Sequence, residues 1–312
     1  MAESSDIRTT GIRSSFYVPS VALTLSSRSW ESPIMPNPAI LVTGATGKTG
    51  RRVVECLVRM KLPARAGSRN PAPDGVHFDW SQSETWSAAL DGVRAVYLVA
   101  PSGVTDVLGA MKPFIDQAVE VGVDRFVLLS ASSLPEGGPM MGAVHAYLRQ
   151  AAPHWTVLRP SWFMQNFSEL QHQSTIKDER RIYSATADGR VGFIEVGDIA
   201  SVAAHALADP AFPDAEYILT GPETMSYSEV AAVIGKVIGA DVRYIRLLEA
   251  EVADRFRSIG IPDEYAKLLA AMDSTIADGA ENRVTTKVAD ITGQPPRSFE
   301  AFAASAAAAW YP

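Results

Sequence analysis

Three glycines spaced three apart, Gly44, Gly47 and Gly50 in the run Thr43-Gly-Ala-Thr-Gly-Lys-Thr-Gly50, are the residues whose type and spacing point first to chemistry. The chemistry is the holding of a phosphate. Gly44 permits a tight turn, Gly47 lets the backbone approach a pyrophosphate, and Gly50 allows a helix to pack close to a strand. The start of that helix adds unpaired N–H groups and the positive end of its dipole, with Thr46, Lys48 and Thr49 at the same turn. The run is not a Walker A loop, because Lys48 precedes the last glycine and no Gly-Lys-Ser/Thr triplet closes it.

The motif carries weight only between a strand and a helix, and the sequence supplies both: the apolar run Ala39–Thr43 before it and a helix-period segment, Arg51–Met60, after it. A dinucleotide is therefore expected. Its identity is decided near the end of the second strand, about 20 residues past the last glycine, where an acid would bind the ribose hydroxyls of NAD. Here the chain reads Arg65-Ala-Gly-Ser-Arg-Asn-Pro71 with no acid. Ser68 can donate a hydrogen bond and Arg69 a charge-assisted fork to a 2′-phosphate, which favours NADP, although a solvated arginine would read the same. Asp79 and Trp80 would flank the adenine, and Trp80 fits a packing role equally well.

Short β-branched runs alternate with helix-period segments from Ala39 onward: 39–43, 64–67, 76–78, 95–99, 125–129, 155–158 and 217–220. Strands separated by helices imply parallel crossovers, and strands apolar at consecutive positions imply helices on both faces. The expected fold is α/β, a doubly wound parallel sheet of Rossmann type over residues 37–220. After Thr220 the segments Ser228–Ile238, Glu249–Ser258 and Glu264–Ile276 read as helices. Residues 221–312 are thus expected to form a smaller, mainly helical cap, with 160–195 also contributing to its pocket. Residues 1–36, rich in Ser, Arg and Pro, show neither period and read as a tail, with Met35 as an alternative start. Arg8, Arg13 and Arg28 among serines resemble a targeting peptide, but Glu3, Asp6 and Glu31 and the lack of a continuous apolar stretch argue against one.

Composition bounds the partners. Of 312 residues 47% are hydrophobic and 20% charged, and no apolar run reaches the roughly 18 residues of a membrane span. The formal charge of −7 offers no basic field for a nucleic acid, so neither nucleic acid nor membrane is expected as a partner. The single cysteine, Cys56, sits among apolar helix positions and reads as a core thiol in a reducing, cytoplasmic setting. The five histidines show no ligand spacing with carboxylates or Cys56, so no metal is expected.

From Ala39 to Trp310 the chain resembles the NmrA-like branch of the atypical short-chain dehydrogenases, and within it the ergot alkaloid reductases of festuclavine synthase and agroclavine dehydrogenase type. The segments that carry this are Val42-Thr-Gly-Ala-Thr-Gly-Lys-Thr-Gly50, His145-Ala-Tyr-Leu148, Trp155 to Phe167, Ile261 to Leu269 and Thr292 to Phe299. The resemblance implies that Ala100 and Pro101 lie along the ribose and pyrophosphate, and that Ser130 and Pro160 to Phe163 approach the nicotinamide. Ser130 and Phe163 fit packing roles as well.

Typical short-chain dehydrogenases use Tyr-x-x-x-Lys, whose lysine lowers the pKa of the tyrosine acid. Here Tyr147 is followed four residues later by Ala151, and Met141 stands where many NmrA-like enzymes carry a lysine. Tyr147, His145 and Ser130 are the candidate catalytic residues, Tyr147 also lying on a helical stripe with Val144 and Leu148 that burial explains. Hydride addition to a ketone creates an alkoxide that needs a donor, whereas addition to an iminium carbon neutralises a charge and needs no proton. Trp162, Phe163, Met164 and Phe167, with Met140 and Met141 opposite, could line a pocket for a small, flat cationic amine or could pack cap against sheet. The expected function is an NADPH-dependent reductase of an iminium or related conjugated acceptor. The alternatives are a quinone-type NAD(P)H oxidoreductase and a non-catalytic dinucleotide sensor with a protein partner.

Overall fold

A computed structural model describes residues 38–169 and 172–311, and the expected tail lies outside the described residues. The chain runs β1 (Ala39–Val42), α1 (Lys48–Arg59), β2 (Ala64–Ser68), β3 (Val76–His77), α2 (Trp86–Leu90), β4 (Val93–Leu98), α3 (Val107–Glu120), β5 (Arg125–Leu129), α4 (Met141–Ala151) and β6 (His154–Pro160). It continues through α5 (Gln173–Glu179), β7 (Arg181–Ser184), β8 (Arg190–Val191), α6 (Val196–Ala208), β9 (Ala215–Leu219), β10 (Met225–Ser226) and α7 (Tyr227–Ile238). The last elements are β11 (Arg243–Arg246), α8 (Glu249–Ser258), α9 (Asp263–Ala277), α10 (Lys287–Thr292) and α11 (Phe299–Ala306).

The expected doubly wound sheet is present. Seven parallel strands lie in the order β3-β2-β1-β4-β5-β6-β9. Because side chains alternate across a strand, the consecutive apolar residues feed two separate cores. Ile40, Val42, Ala95, Tyr97, Val127 and Leu158 face α1, α6 and α10. Leu41, Val96, Leu98, Phe126, Leu128 and Val157 face α2, α3 and α4. Helix α6 is buried along most of its length, with Ile199, Ala200, Val202, Ala203, Ala204, Ala206 and Leu207 excluded from solvent. Its alanines allow close approach to α1, against which it packs.

The second lobe has its own core, built on Phe167, Phe193, Tyr227, Phe299 and Trp310. Helices dominate it, but β10 pairs antiparallel with β8 and β11 pairs parallel with β7. Each of these strands is two to four residues long and finds its partner far away in sequence, which is why local patterning shows little of them. Helix α10 leaves this lobe to pack on α6 and β9. Among the described residues no helix is long and apolar enough to cross a membrane.

Candidate functional site

The strand order reverses between β1 and β4, which opens a crevice beyond their carboxyl ends. Thr43 locks these ends together: its Oγ1 donates to the Tyr97 carbonyl at 2.9 Å and accepts from the Val99 N–H at 2.9 Å. Gly44 then turns with φ of +61°, a region that only glycine enters without strain. A Cβ on Gly50 would stand 2.2 Å from the Gly44 carbonyl oxygen, so the first turn of α1 reaches the loop only because Gly50 has no side chain.

Helix α1 begins at Lys48, three residues before the expected Arg51, because Gly47 takes the cap position. That cap has no side-chain hydrogen bond, and the first turn holds no acid. Lys48, Arg51 and Arg52 stand there instead, an arrangement unfavourable against the helix dipole unless an anion is held nearby. Glu169 takes up part of the charge, pairing with Arg51 at 2.9 Å and Arg52 at 3.1 Å. Burial holds the Lys48 ammonium below its ordinary range, opposed by Glu169 and reinforced by the two arginines.

A cleft of about 460 Å³ starts at this loop and brings together Gly44, Thr46, Gly47, Ser68, Arg69, Asp79, Trp80, Ala100 and Pro101. Phe78, Ser81, Val99, Ser102, Val104 and Ala110 also line it and were not anticipated, although all but Ala110 lie within a few residues of anticipated ones. Ser68 is buried at the end of β2, and Arg69 is exposed. The Asp79 carboxylate accepts from the Ser81 N–H at 2.9 Å and from its hydroxyl at 2.8 Å. These bonds, then the charges of Arg69 and His77, hold its pKa below the usual range against a small burial effect. Trp80 meets Phe78 and Phe114 edge-on, with centroids 5.0 and 5.2 Å apart, so it packs and lines the cleft at once.

Other anticipated residues lie elsewhere. Lys48, Thr49 and Gly50 are outside the cleft lining, the latter two buried in the first turn of α1. Ser130 and Pro160 stand at the ends of β5 and β6, also outside the lining. The Ser130 hydroxyl is buried and has no hydrogen-bond partner among the described residues.

Tyr147 does have a lysine neighbour, but not one from its own helix. Lys112 on α3 donates to its hydroxyl at 2.8 Å and sits over its ring, and the hydroxyl is bound to the Asp116 carboxylate. The group is thus engaged in the α3–α4 layer and does not line the cleft. His145 is 1% exposed, 3.7 Å from Glu216, and its ring is held below its ordinary pKa by burial against the opposing charges of Glu136 and Glu216.

The anticipated aromatic and thioether residues pack against three different cores. Met140 and Met141 pack against the α3–α4 core, Phe163 against the α1–α6 core, and Trp162 against the second lobe. Met164 and Phe167 are buried within that lobe, Phe167 stacked on His172 and edge-on to Phe193, Tyr227 and Phe299.

A larger groove of about 560 Å³ lies between α1, α6 and α11, away from the cleft, with Arg52, Glu195, Asp198 and Arg297 on its walls. Two of its acids are engaged by neutral donors: Asp198 accepts from the Arg297 backbone N–H at 2.8 Å, and Glu195 from the Gln165 amide at 2.5 Å and the Gly197 N–H at 2.9 Å. It has none of the glycine-loop geometry.

Residues 36–303 match the model of the NmrA-like family. The chain belongs to the NmrA-like family. Among relatives, it is 41% identical over 281 residues to the oxidoreductase YesF of Bacillus subtilis, covering 89% of this chain and 98% of that one. It is 40% identical over 284 residues to the agroclavine dehydrogenase of Claviceps fusiformis, covering 87% and 98%. The NADPH-dependent quinone oxidoreductase of Escherichia coli, solved with NADPH, shares the fold with a TM-score of 0.74 at 24% identity, covering 85% of this chain and 99% of that one. The NmrA-like fold thus spans nearly the whole described chain.

Proposed function

We propose that this NmrA-like protein is an NADPH-dependent oxidoreductase that reduces a small-molecule acceptor, a cationic C=N carbon in preference to a ketone. The observation that carries the choice of acceptor is the engagement of the Tyr147 hydroxyl by Asp116 and Lys112, outside the cleft. Burial lowers the His145 pKa, and its ring nitrogens have no hydrogen-bond partner among the described residues, which leaves it poorly placed to supply a proton. The kinship with agroclavine dehydrogenase supports the same class.

The cleft residues fit a dinucleotide. The uncapped first turn of α1 receives the pyrophosphate, the Ser68 hydroxyl and Arg69 receive a 2′-phosphate, and Trp80 gives the adenine an apolar wall. When bound, NADPH supplies a hydride, two electrons and one proton nucleus, to the acceptor carbon, leaving an amine and oxidised nicotinamide. The protein's part is alignment and exclusion of water at the ends of β4, β5 and β6. We assign the nucleotide to residues 37–220 and acceptor choice to the second lobe with 160–195.

The test is NADPH oxidation with cyclic iminium ions, quinones and simple ketones at equal concentration. Turnover of iminium ions at least a hundredfold above ketones supports the reading. Faster ketone reduction overturns it, and tight NADPH binding without turnover of any acceptor makes the protein a dinucleotide sensor.

A further inference from the structure

Glu281 lies between α9 and α10 and is only 2% exposed. Both of its oxygens accept from the Ser132 hydroxyl at 2.8 Å, and one also accepts from the Ser161 hydroxyl at 3.0 Å. Among the described residues the only cation paired with it is Arg283, at 3.4 Å. A buried carboxylate is a costly way to fill space, since an apolar residue of similar size would pack without desolvating a charge. What the carboxylate adds is direction: it draws three distant chain segments to one point.

Two of those segments are the walls of the sheet's carboxyl edge. Ser132 is three residues beyond β5, and Ser161 immediately follows β6. Their backbones are already in register there, Ser132 N–H donating to Pro160 at 2.9 Å and Ser161 N–H to Leu219 at 2.9 Å. The third segment is the return from α9, held to the end of β9 by Thr285, whose hydroxyl donates to the Ile218 carbonyl at 2.7 Å. Ser130, whose buried hydroxyl has no hydrogen-bond partner among the described residues, is two residues from Ser132.

We propose that Glu281 is a positioning residue for the nicotinamide end of the dinucleotide. It fixes the ends of β5 and β6, through Ser132 and Ser161, in the place where the ring is held, and it does so without touching the cofactor. The inference rests on the dinucleotide reading above. With the adenosine half beside Ser68 and Arg69 at β2, the other half runs past β4 toward β5 and β6.

The experiment compares the full-length wild type with Glu281→Ala, Glu281→Gln and the double variant Ser132→Ala/Ser161→Ala. Each is titrated with NADPH and with 2′-phospho-ADP-ribose, which lacks the nicotinamide, and the fluorescence gain of bound NADPH reports immobilisation of the reduced ring. Glu281→Ala is expected to weaken NADPH at least tenfold and abolish most of the fluorescence gain, while the fragment binds within twofold of wild type. Glu281→Gln, which keeps size and an accepting oxygen, should recover part of both. Should Glu281→Ala fail to fold, the double serine variant is expected to show the same split. Equal weakening of NADPH and fragment, or no change in either, overturns the positioning role while leaving the dinucleotide site standing. A wild type that binds neither ligand overturns both.

Discussion

The glycine loop permits a prediction in which two neighbouring substitutions separate stability from binding. A Cβ on Gly50 would lie 2.2 Å from the Gly44 oxygen, 2.8 Å from its carbonyl carbon and 3.0 Å from the Ala45 Cα, all of it backbone. An ordinary carbon–oxygen contact is about 3.3 Å, so loop and helix must part by roughly 1 Å, an overpacking that costs about 1–3 kcal/mol. For a chain of this size, Gly50→Ala should lower the melting temperature by about 2–4 °C per kcal/mol. NADPH affinity should fall on the order of a hundredfold, or ~2.7 kcal/mol, because the displaced N–H groups no longer converge. Gly47 has an ordinary φ of −77°, and beyond its chain neighbours the atom nearest an added methyl is the Gly44 oxygen at 3.1 Å. Gly47 itself lines the cleft. Gly47→Ala should therefore melt within about 2 °C of wild type, a shift of less than ~1 kcal/mol, yet lose at least tenfold in affinity, or ~1.4 kcal/mol. Differential scanning calorimetry and NADPH titration read the two effects. A Gly47→Ala protein that binds NADPH like wild type would refute the close approach of an anion to this loop.

Arg69→Ala should remove most of a preference for NADPH over NADH of about tenfold or more, ~1.4 kcal/mol, leaving NADH affinity unchanged; equal affinities in the wild type would defeat the assignment. Tyr147→Phe should keep iminium reduction within about tenfold of wild type, and a thousandfold loss with NADPH binding intact would make Tyr147 a proton donor. Burial lifts the Asp198 carboxyl to about 6, with the Arg297 N–H opposing and Glu195 assisting. Its folded-state pKa lies above the unfolded value, so its contribution is most favourable at low pH and is lost as pH rises through about 6. Asp198→Asn should accordingly be more stable than wild type at pH 8, by up to about 3 kcal/mol, with most of the gain gone by about pH 4. A pH-independent difference in denaturation midpoints would contradict this.

What was legible in the sequence was what neighbouring residues decide together. The strand 39–42, the glycine turn and the helix after it are contiguous, and the consecutive apolar residues of β4 and β5 announce two covered faces. The cleft residues Ser68, Arg69, Asp79 and Trp80 follow from the same local logic, whereas Ala100 and Pro101 came from the family resemblance. Features that join remote segments were not legible. Lysine was sought four residues beyond Tyr147, along its helix, but Lys112 reaches it from the neighbouring helix, 35 residues earlier. Phe167 reads alike as pocket wall or core until Phe193, Tyr227 and Phe299 converge on it. Glu281 carries no motif, and its serines lie 149 and 120 residues away.

The packing of α1 against α6 also bears on how the protein is made. The helix that opens at the glycine loop emerges early from the ribosome, but the surface it rests on, Ile199 to Leu207, is synthesised about 150 residues later, and α10, which backs α6, later still. A nascent chain halted before Val196 has the whole glycine motif but not the α6 face on which Val53 and Leu57 are buried in the complete fold. Such separation between partners slows folding and prolongs the exposure of apolar surface. Translation past α6 is thus the event that completes the loop's support.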